Sequence, residues 1–371
     1  MSLVIDADFH GGNIVVQTAG ATAADLTLRA DSNGPWFQWF YFRVRGAAGQ
    51  ALTLRILNAG ASTYPEGWIG YQACVSADGE TWTRADTGFA DGVLEIRHRP
   101  PGDVLWVAYF APYDAQRHAA LVARAVAGGA GVDVLGRSVD GRPIERLRLG
   151  AGRRQVWLLG RQHSGETMAS WWMEGALDRL LDRADATGQA LLAAATVHVA
   201  PLINVDGAAR GNLRGNAAGV DLNRQWHGPD PTRAPEVAAV LAAMDATGVD
   251  LSLDVHGDET LPHVFIDGAD VDPQASVSQV AGVERFRSAL LAASPAFQTR
   301  VGYPPTYAGG EAPGMCTRAV ARRYGAIGVT LEMPFKDSLE VPDALAGWSP
   351  EASRRLGWET LSAVLAGLAA G

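Results

Sequence analysis

Hydrophobic and polar positions divide the chain into two regimes. Up to about residue 112, apolar residues come in short β-forming runs, several alternating with period two: 36–45 (W-F-Q-W-F-Y-F-R-V-R), 51–57, 67–76, 82–85, 93–98 and 104–109. Segments 67–76 and 82–85 flank an S-A-D-G-E turn and predict a hairpin. Strands at this spacing, joined by Gly, Asp and Pro turns, predict a small antiparallel β-sandwich. Its aromatic cluster, Trp36, Trp39 and Tyr41, suits the core or a seam with a neighbouring domain.

From Tyr113 the period lengthens. Residues 113–127 have helical spacing, and 136–150 read as a polar hairpin. Buried apolar runs then alternate with helical segments: strands at 156–159, 194–203, 250–255 and 326–331, and helices at 167–181, 235–246, 280–293 and 352–369. That alternation predicts an α/β domain. A chain of 371 residues exceeds what one core usually serves. The expected division is 1–112 for the sandwich and 113–371 for the α/β part.

Composition narrows the function classes. A net charge of −9 argues against a general nucleic-acid binder, because nothing offsets phosphate repulsion. Lys336 is the single lysine, so chemistry needing an ammonium group has one candidate. No apolar run approaches the ~18 residues of a membrane span, and the N-terminus lacks the pattern of a secretory signal. Cys74 and Cys316 lie far apart, which suits free thiols in a reducing compartment. These features lead us to expect a cytoplasmic protein.

Candidate chemistry collects where strands give out. His163 and Glu166 lie in the turn after 156–159, His256 follows 250–255, and Glu332 follows 326–331. Alone, a His-x-x-Glu pair is commonplace. Three strand ends each delivering an imidazole or carboxylate converge where open α/β sheets keep their ligands. Two imidazoles and a carboxylate suit a catalytic zinc with its fourth position open to water. A polar loop, 204–224, leaves from the same edge.

In this order H-S-G-E, N-V-D-G, G-N-L-R, V-D-L-N-R-Q-W, D-V-H-G and T-L-E-M-P-F resemble the zinc carboxypeptidases of the carboxypeptidase A superfamily, nearest its cytosolic branch. The N-terminal Q-W-F-Y-F-R-V and F-A-P-Y-D-A-Q-R-H-A-A-L resemble that branch's sandwich and junction, so the likeness spans nearly the whole chain. It implies a mixed-sheet catalytic domain with helices on both faces, and one zinc ion (Zn2+) on His163, Glu166 and His256. It further implies Glu332 as general base toward a zinc-bound water, Arg214 at the oxyanion, and Asn223 with Arg224 clamping the substrate's terminal carboxylate. Asp221 resembles the carboxylate that orients a zinc histidine. The implied substrate is a peptide or protein C-terminus.

The match thins at specificity. Tyr303, Tyr307 and Tyr324 compete to cover the substrate carboxylate, with Tyr307 the best fit. Arg318, and more weakly Lys336, hint at acidic C-terminal residues. His227, beside the clamp, is a candidate pocket-lining residue by position, whereas His198, His263, His10, His98 and His118 read as packing or surface residues, and a reactive Cys316 is not expected. The alternatives are a zinc deacylase of N-acyl amino acids and a zinc-stabilised binding module without turnover. Oligomeric state is left open.

Overall fold

The structure, a computed structural model, describes residues 2–304 and 314–369. The N-terminal part is two facing five-stranded sheets. One runs Val4–Asp6, Tyr41–Arg45, Val104–Ala108, Cys74–Ser76, Thr83–Arg84; the other runs Val15–Ala19, Ala23–Thr27, Leu52–Ile56, Val93–His98, Asp86–Ala90. Period two is visible in burial: Phe42 and Val44, Leu52, Leu54 and Ile56, and Leu94 and Ile96 all point inward. Pairing is antiparallel throughout except between Ala23–Thr27 and Leu52–Ile56, which run parallel.

Two expected strands are shorter than their apolar runs. Only Tyr41–Arg45 of the 36–45 run is a strand. Upstream, Phe37 N–H donates to Thr63 Oγ1 and Phe37 C=O accepts from Thr63 N–H, so these backbone groups are satisfied by a loop. In 67–76 only Cys74–Ser76 is extended, because Pro65 opens a short 3-10 turn, Pro65–Trp68.

The second part is a seven-stranded sheet in the order Gly131–Arg137, Pro143–Leu149, Ala195–Ala200, Arg154–Gly160, Leu251–Asp258, Ile327–Pro334, Phe265–Gly268. The four strands from Ala195–Ala200 to Ile327–Pro334 are parallel; the hairpin and Phe265–Gly268 join antiparallel. Every residue of Leu251–Asp258 is buried, as expected of a strand covered on both faces. Val156 and Leu158 join the core under helices Met168–Leu181 and Pro350–Gly367, while Trp157 and Leu159 join that under helix Pro235–Thr247. Helices therefore cover both faces.

The larger core is continuous across the two parts. Tyr109 of the sandwich stacks on Phe335 of the α/β part with ring centroids 4.4 Å apart. Chain order reverses around Arg154–Gly160: the next strand lies on one side and Leu251–Asp258 on the other. That switch point opens a crevice at the strands' carboxyl ends. No helix among the described residues is long and apolar enough to cross a membrane.

Candidate metal centre and active site

The turn after Arg154–Gly160 is built on a strained residue. Arg161 is buried with φ +57°, a conformation disfavoured for side chains other than Gly and Asn. Its guanidinium spans the turn, donating to Ser164 C=O from Nε (3.0 Å) and Nη2 (2.6 Å) and to Ser170 Oγ from Nη1 (3.0 Å). Gly165 N–H donates to Leu213 C=O at 2.7 Å, and a Cβ at Gly165 would lie 2.9 Å from that oxygen. The turn is thereby fixed against the 211–224 loop, and helix Met168–Leu181 follows.

His163 and Glu166 meet His256 there. His163 Nδ1 lies 2.6 Å from Glu166 Oε1, His256 Nδ1 2.8 Å from Glu166 Oε2, and the two Nδ1 atoms 3.2 Å apart. All three side chains are buried, and one ligand atom from each lies within 4.8 Å of the others. Each imidazole is held from behind: His163 Nε2 by Asp221 Oδ1 at 3.1 Å, His256 Nε2 by Asp254 Oδ2 at 2.8 Å. Carboxylates on both Nε2 atoms favour Nδ1 lone pairs that face each other, an arrangement that calls for a cation, either a proton or a metal ion, between them. Two Zn–N bonds of about 2.05 Å at the tetrahedral angle put the nitrogens about 3.3 Å apart. The residues fit a zinc ion. Burial works against the charge on Glu166, but the two imidazoles hold its carboxyl well below the usual range.

Glu332 stands next to this triad because His256 and Glu332 are register partners on adjacent parallel strands. Its Oε1 accepts from Tyr303 OH at 3.0 Å; its Oε2 is buried without a hydrogen-bond partner among the described residues. Burial, with Glu166 and Asp258 nearby, pushes its carboxyl well above the ordinary range against the pull of His256. A cavity of about 180 Å³ is lined by His163, Glu166 and Glu332, and also by Arg214, Asn223 and Arg224. Arg214 Nε donates to Asp221 Oδ2 at 2.8 Å, so one carboxylate serves both a histidine and this guanidinium. Asn223 Oδ1 accepts from Cys316 N–H at 2.9 Å, and Gly314 packs so closely on Arg224 that a Cβ would lie 2.1 Å from Arg224 C=O. Six of the seven residues expected at the site thus line one cavity, and His256 joins them through its contact with Glu166.

Other expectations sort out as follows. Tyr303 lines the cavity, Tyr324 bonds Asp245 at 2.6 Å outside it, and Tyr307 lies outside the described residues. Arg318 is buried 3.4 Å from Asp267, a cavity residue, and its Nη1 has no partner among the described residues. Lys336 donates to Ile69 C=O at 2.7 Å at the seam with the sandwich, away from the cavity. His198 stacks on Trp157, His263 pairs with Glu340 and His118 with Glu145, all in packing roles. His227 is exposed and absent from the lining; Cys316 is buried, and burial pushes its thiol up.

Four residues escaped the sequence reading. Asp254 was detectable, since it sits two positions before His256 and so on the same strand face. Glu259 follows the strand's end and lines the cavity, its carboxyl pushed up by burial. Tyr64 and Asp31 come from the sandwich, and no local pattern marks them.

A buried His-Glu-His triad with backing carboxylates, beside a buried acid with a carboxylate oxygen unpartnered among the described residues and two guanidinium groups, is the apparatus of a metal-dependent hydrolase. A family model described as the cytosolic carboxypeptidase N-terminal domain matches residues 5–110, and one described as zinc carboxypeptidase matches 129–338. An uncharacterized protein of Zymomonas mobilis is 46% identical, over 98% of this chain and 96% of its own. A metallo-carboxypeptidase crystal structure from Burkholderia cenocepacia superimposes with TM-score 0.95 at 39% identity, over 98% of both chains. One from Pseudomonas aeruginosa, in complex with (2-guanidinoethylmercapto)succinic acid, gives 0.94 at 41% over 98% of both. Cytosolic carboxypeptidase 1 of Xenopus laevis is 25% identical over 72% of this chain, a match spanning 26% of that longer protein. The chain belongs to the zinc carboxypeptidase family.

Proposed function

We propose that this protein is a zinc metallocarboxypeptidase that removes the C-terminal residue of peptides or proteins, with one zinc ion on His163, Glu166 and His256. The observation that carries this reading is the shared cavity: His163 and Glu166 of the triad, a carboxylate oxygen without a partner among the described residues, and two arginines line it together. When bound, zinc lowers the pKa of water and polarises the scissile carbonyl. Glu332 Oε2 is free to take the proton of the attacking water and return it to the leaving amine. Arg214 offers a fixed positive charge to the oxyanion. Asn223 and Arg224 hold the terminal carboxylate, and that clamp restricts cleavage to the chain end.

Side-chain preference follows from Arg318 and Asp267. A C-terminal Glu or Asp reaching the unpartnered Arg318 Nη1 would form a charge-assisted pair, with Asp267 as the internal competitor. Lys336 has no part in it. The division at residues 112/113 belongs to the same reading, since the two family matches fall on either side of it. A cytoplasmic location is supported by two buried free cysteines.

The test is metal analysis of the purified protein together with a panel of peptides ending in Glu, Leu and Lys, and of N-acyl amino acids. One equivalent of zinc and release of single C-terminal residues are expected, fastest from Glu. Turnover of acyl-amino acids alone would replace the peptidase reading. Preference for Leu or Lys would discard the role given to Arg318.

A further inference from the structure

The sandwich reaches into the active site at two points. Asp31, buried, accepts three consecutive backbone N–H groups of the loop that carries Arg214: Leu213 at 2.5 Å, Arg214 at 2.8 Å and Gly215 at 2.7 Å. Tyr64 lines the cavity itself, and its phenolic oxygen accepts from Arg214 Nη1 at 2.8 Å. Tyr64 is held on both sides of its backbone by buried Gln38, whose Oε1 accepts from Tyr64 N–H (2.8 Å) and whose Nε2 donates to Tyr64 C=O (3.0 Å). Behind it Gly67 packs so close to Glu259 that a Cβ would lie 3.0 Å from the Glu259 carbonyl oxygen.

This arrangement leaves the Tyr64 hydroxyl proton unspent. Arg214 uses Nε on Asp221 and Nη1 on Tyr64. The Tyr64 oxygen receives a hydrogen bond from Arg214, and its own O–H makes none to a described residue. Burial keeps that phenol protonated despite the neighbouring guanidinium. A hydroxyl polarised by a charged donor, in a cavity shared with the metal triad and Glu332, is a strong donor toward an anion.

We propose that Tyr64 is a catalytic residue supplied by the N-terminal sandwich, donating its phenolic hydrogen to the same oxyanion as Arg214. This rests on the oxyanion role given to Arg214 above. The sandwich is then part of the catalytic apparatus: Tyr64 supplies the donor, and Asp31 fixes the loop that aims the guanidinium.

The experiment compares Tyr64→Phe, Arg214→Gln and the double variant in the full-length zinc enzyme, on the best substrate of the peptide panel. Zinc content and circular dichroism serve as controls. Removing one oxyanion donor typically costs about 10²–10³ in kcat. Tyr64→Phe is expected to lower kcat by about 10²-fold with KM within about threefold. It should weaken inhibition by a phosphonate peptide analogue in step, and add less to Arg214→Gln than to the wild type. If Tyr64→Phe changes only KM, or leaves kcat intact while Arg214→Gln lowers it, the donor role of Tyr64 is wrong and the reading of Arg214 stands. If neither variant lowers kcat, the oxyanion reading falls first.

Discussion

Asp254→Asn should weaken zinc binding without disturbing the fold. Asp254 Oδ2 accepts from His256 Nε2 at 2.8 Å and from Gln162 Nε2 at 2.6 Å, while Oδ1 is buried with no partner among the described residues. Asparagine has two ways to sit. With its oxygen in the Oδ2 position, both hydrogen bonds survive as neutral ones, and His256 loses only the basicity that a charged partner lends it. Flipped, its NH₂ confronts two donors, and the imidazole loses its orientation. Loss of a partner behind a metal-bound histidine costs about 10–100-fold in affinity. The two poses correspond to the ends of that range, about 1.4–2.8 kcal/mol.

The assay is competition between apo-protein and a chromophoric zinc chelator. Its pH dependence carries a second check. Burial lowers the proton affinity of His256, but Asp254 and Glu166 outweigh it and hold the imidazolium well above its ordinary range when no ion is bound. Zinc must then displace a proton in the wild type, and a less tightly held one in the variant. The affinity ratio should be widest at high pH and shrink as pH falls. A ratio within twofold at pH 8, with the fold intact, would refute the assignment of Asp254 as the residue that positions His256.

Glu332→Gln should keep its zinc while kcat falls by about 10²–10⁴-fold, the range of general acid–base catalysis; metal analysis beside kinetics checks both. Asp31→Asn should retain zinc but lower kcat through a loosened 213–215 loop, and raised amide exchange at Leu213–Gly215 would confirm that route. Glu236 is fully buried, and burial pushes its carboxyl from 4.5 up to about 7. The folded state therefore binds the proton more tightly than the unfolded chain, so stability declines as pH rises from about 4.5 to about 7. Across that window wild type should lose up to about 3 kcal/mol relative to Glu236→Gln. Denaturant midpoints at pH 4.5 and 8 measure it, and parallel pH profiles for the two proteins would count against it. In Asp267→Asn, Arg318 loses its internal competitor, and the Glu-to-Leu kcat/KM ratio should rise; an unchanged ratio removes Arg318 from specificity.

The candidate metal residues were legible because each lies at or near the carboxyl end of a strand buried in the sheet. The run 250–255 reads as a buried strand from sequence, and the structure extends it through His256 to Asp258. The strand Phe265–Gly268 and helices Ala186–Ala194, Val205–Arg210 and Cys316–Tyr324 were missed. They are short, and tertiary contacts stabilise them more than local pattern does. Helix Cys316–Tyr324, for one, is positioned by the bond from Cys316 N–H to Asn223, 93 residues away. Strands Val15–Ala19 and Asp86–Ala90 escaped because neither buries a full apolar face; their residues are mostly exposed or half-buried.

The contribution of the sandwich to the site was illegible for a different reason. Arg214 and Asp31 are 183 residues apart, and the Asp31 contacts run to backbone N–H groups, which carry no sequence signature. A carboxylate holding three consecutive amides fixes the path of a loop whatever its side chains are. The same logic explains the continuous core under Tyr109 and Phe335. If the two parts moved as independent bodies, Arg214 would be aimed by a contact that opens and closes. A seam closed by stacked aromatic rings holds Asp31 and Tyr64 in register with Asp221 and the His163–Glu166–His256 triad, so placement of the guanidinium becomes a property of the whole fold.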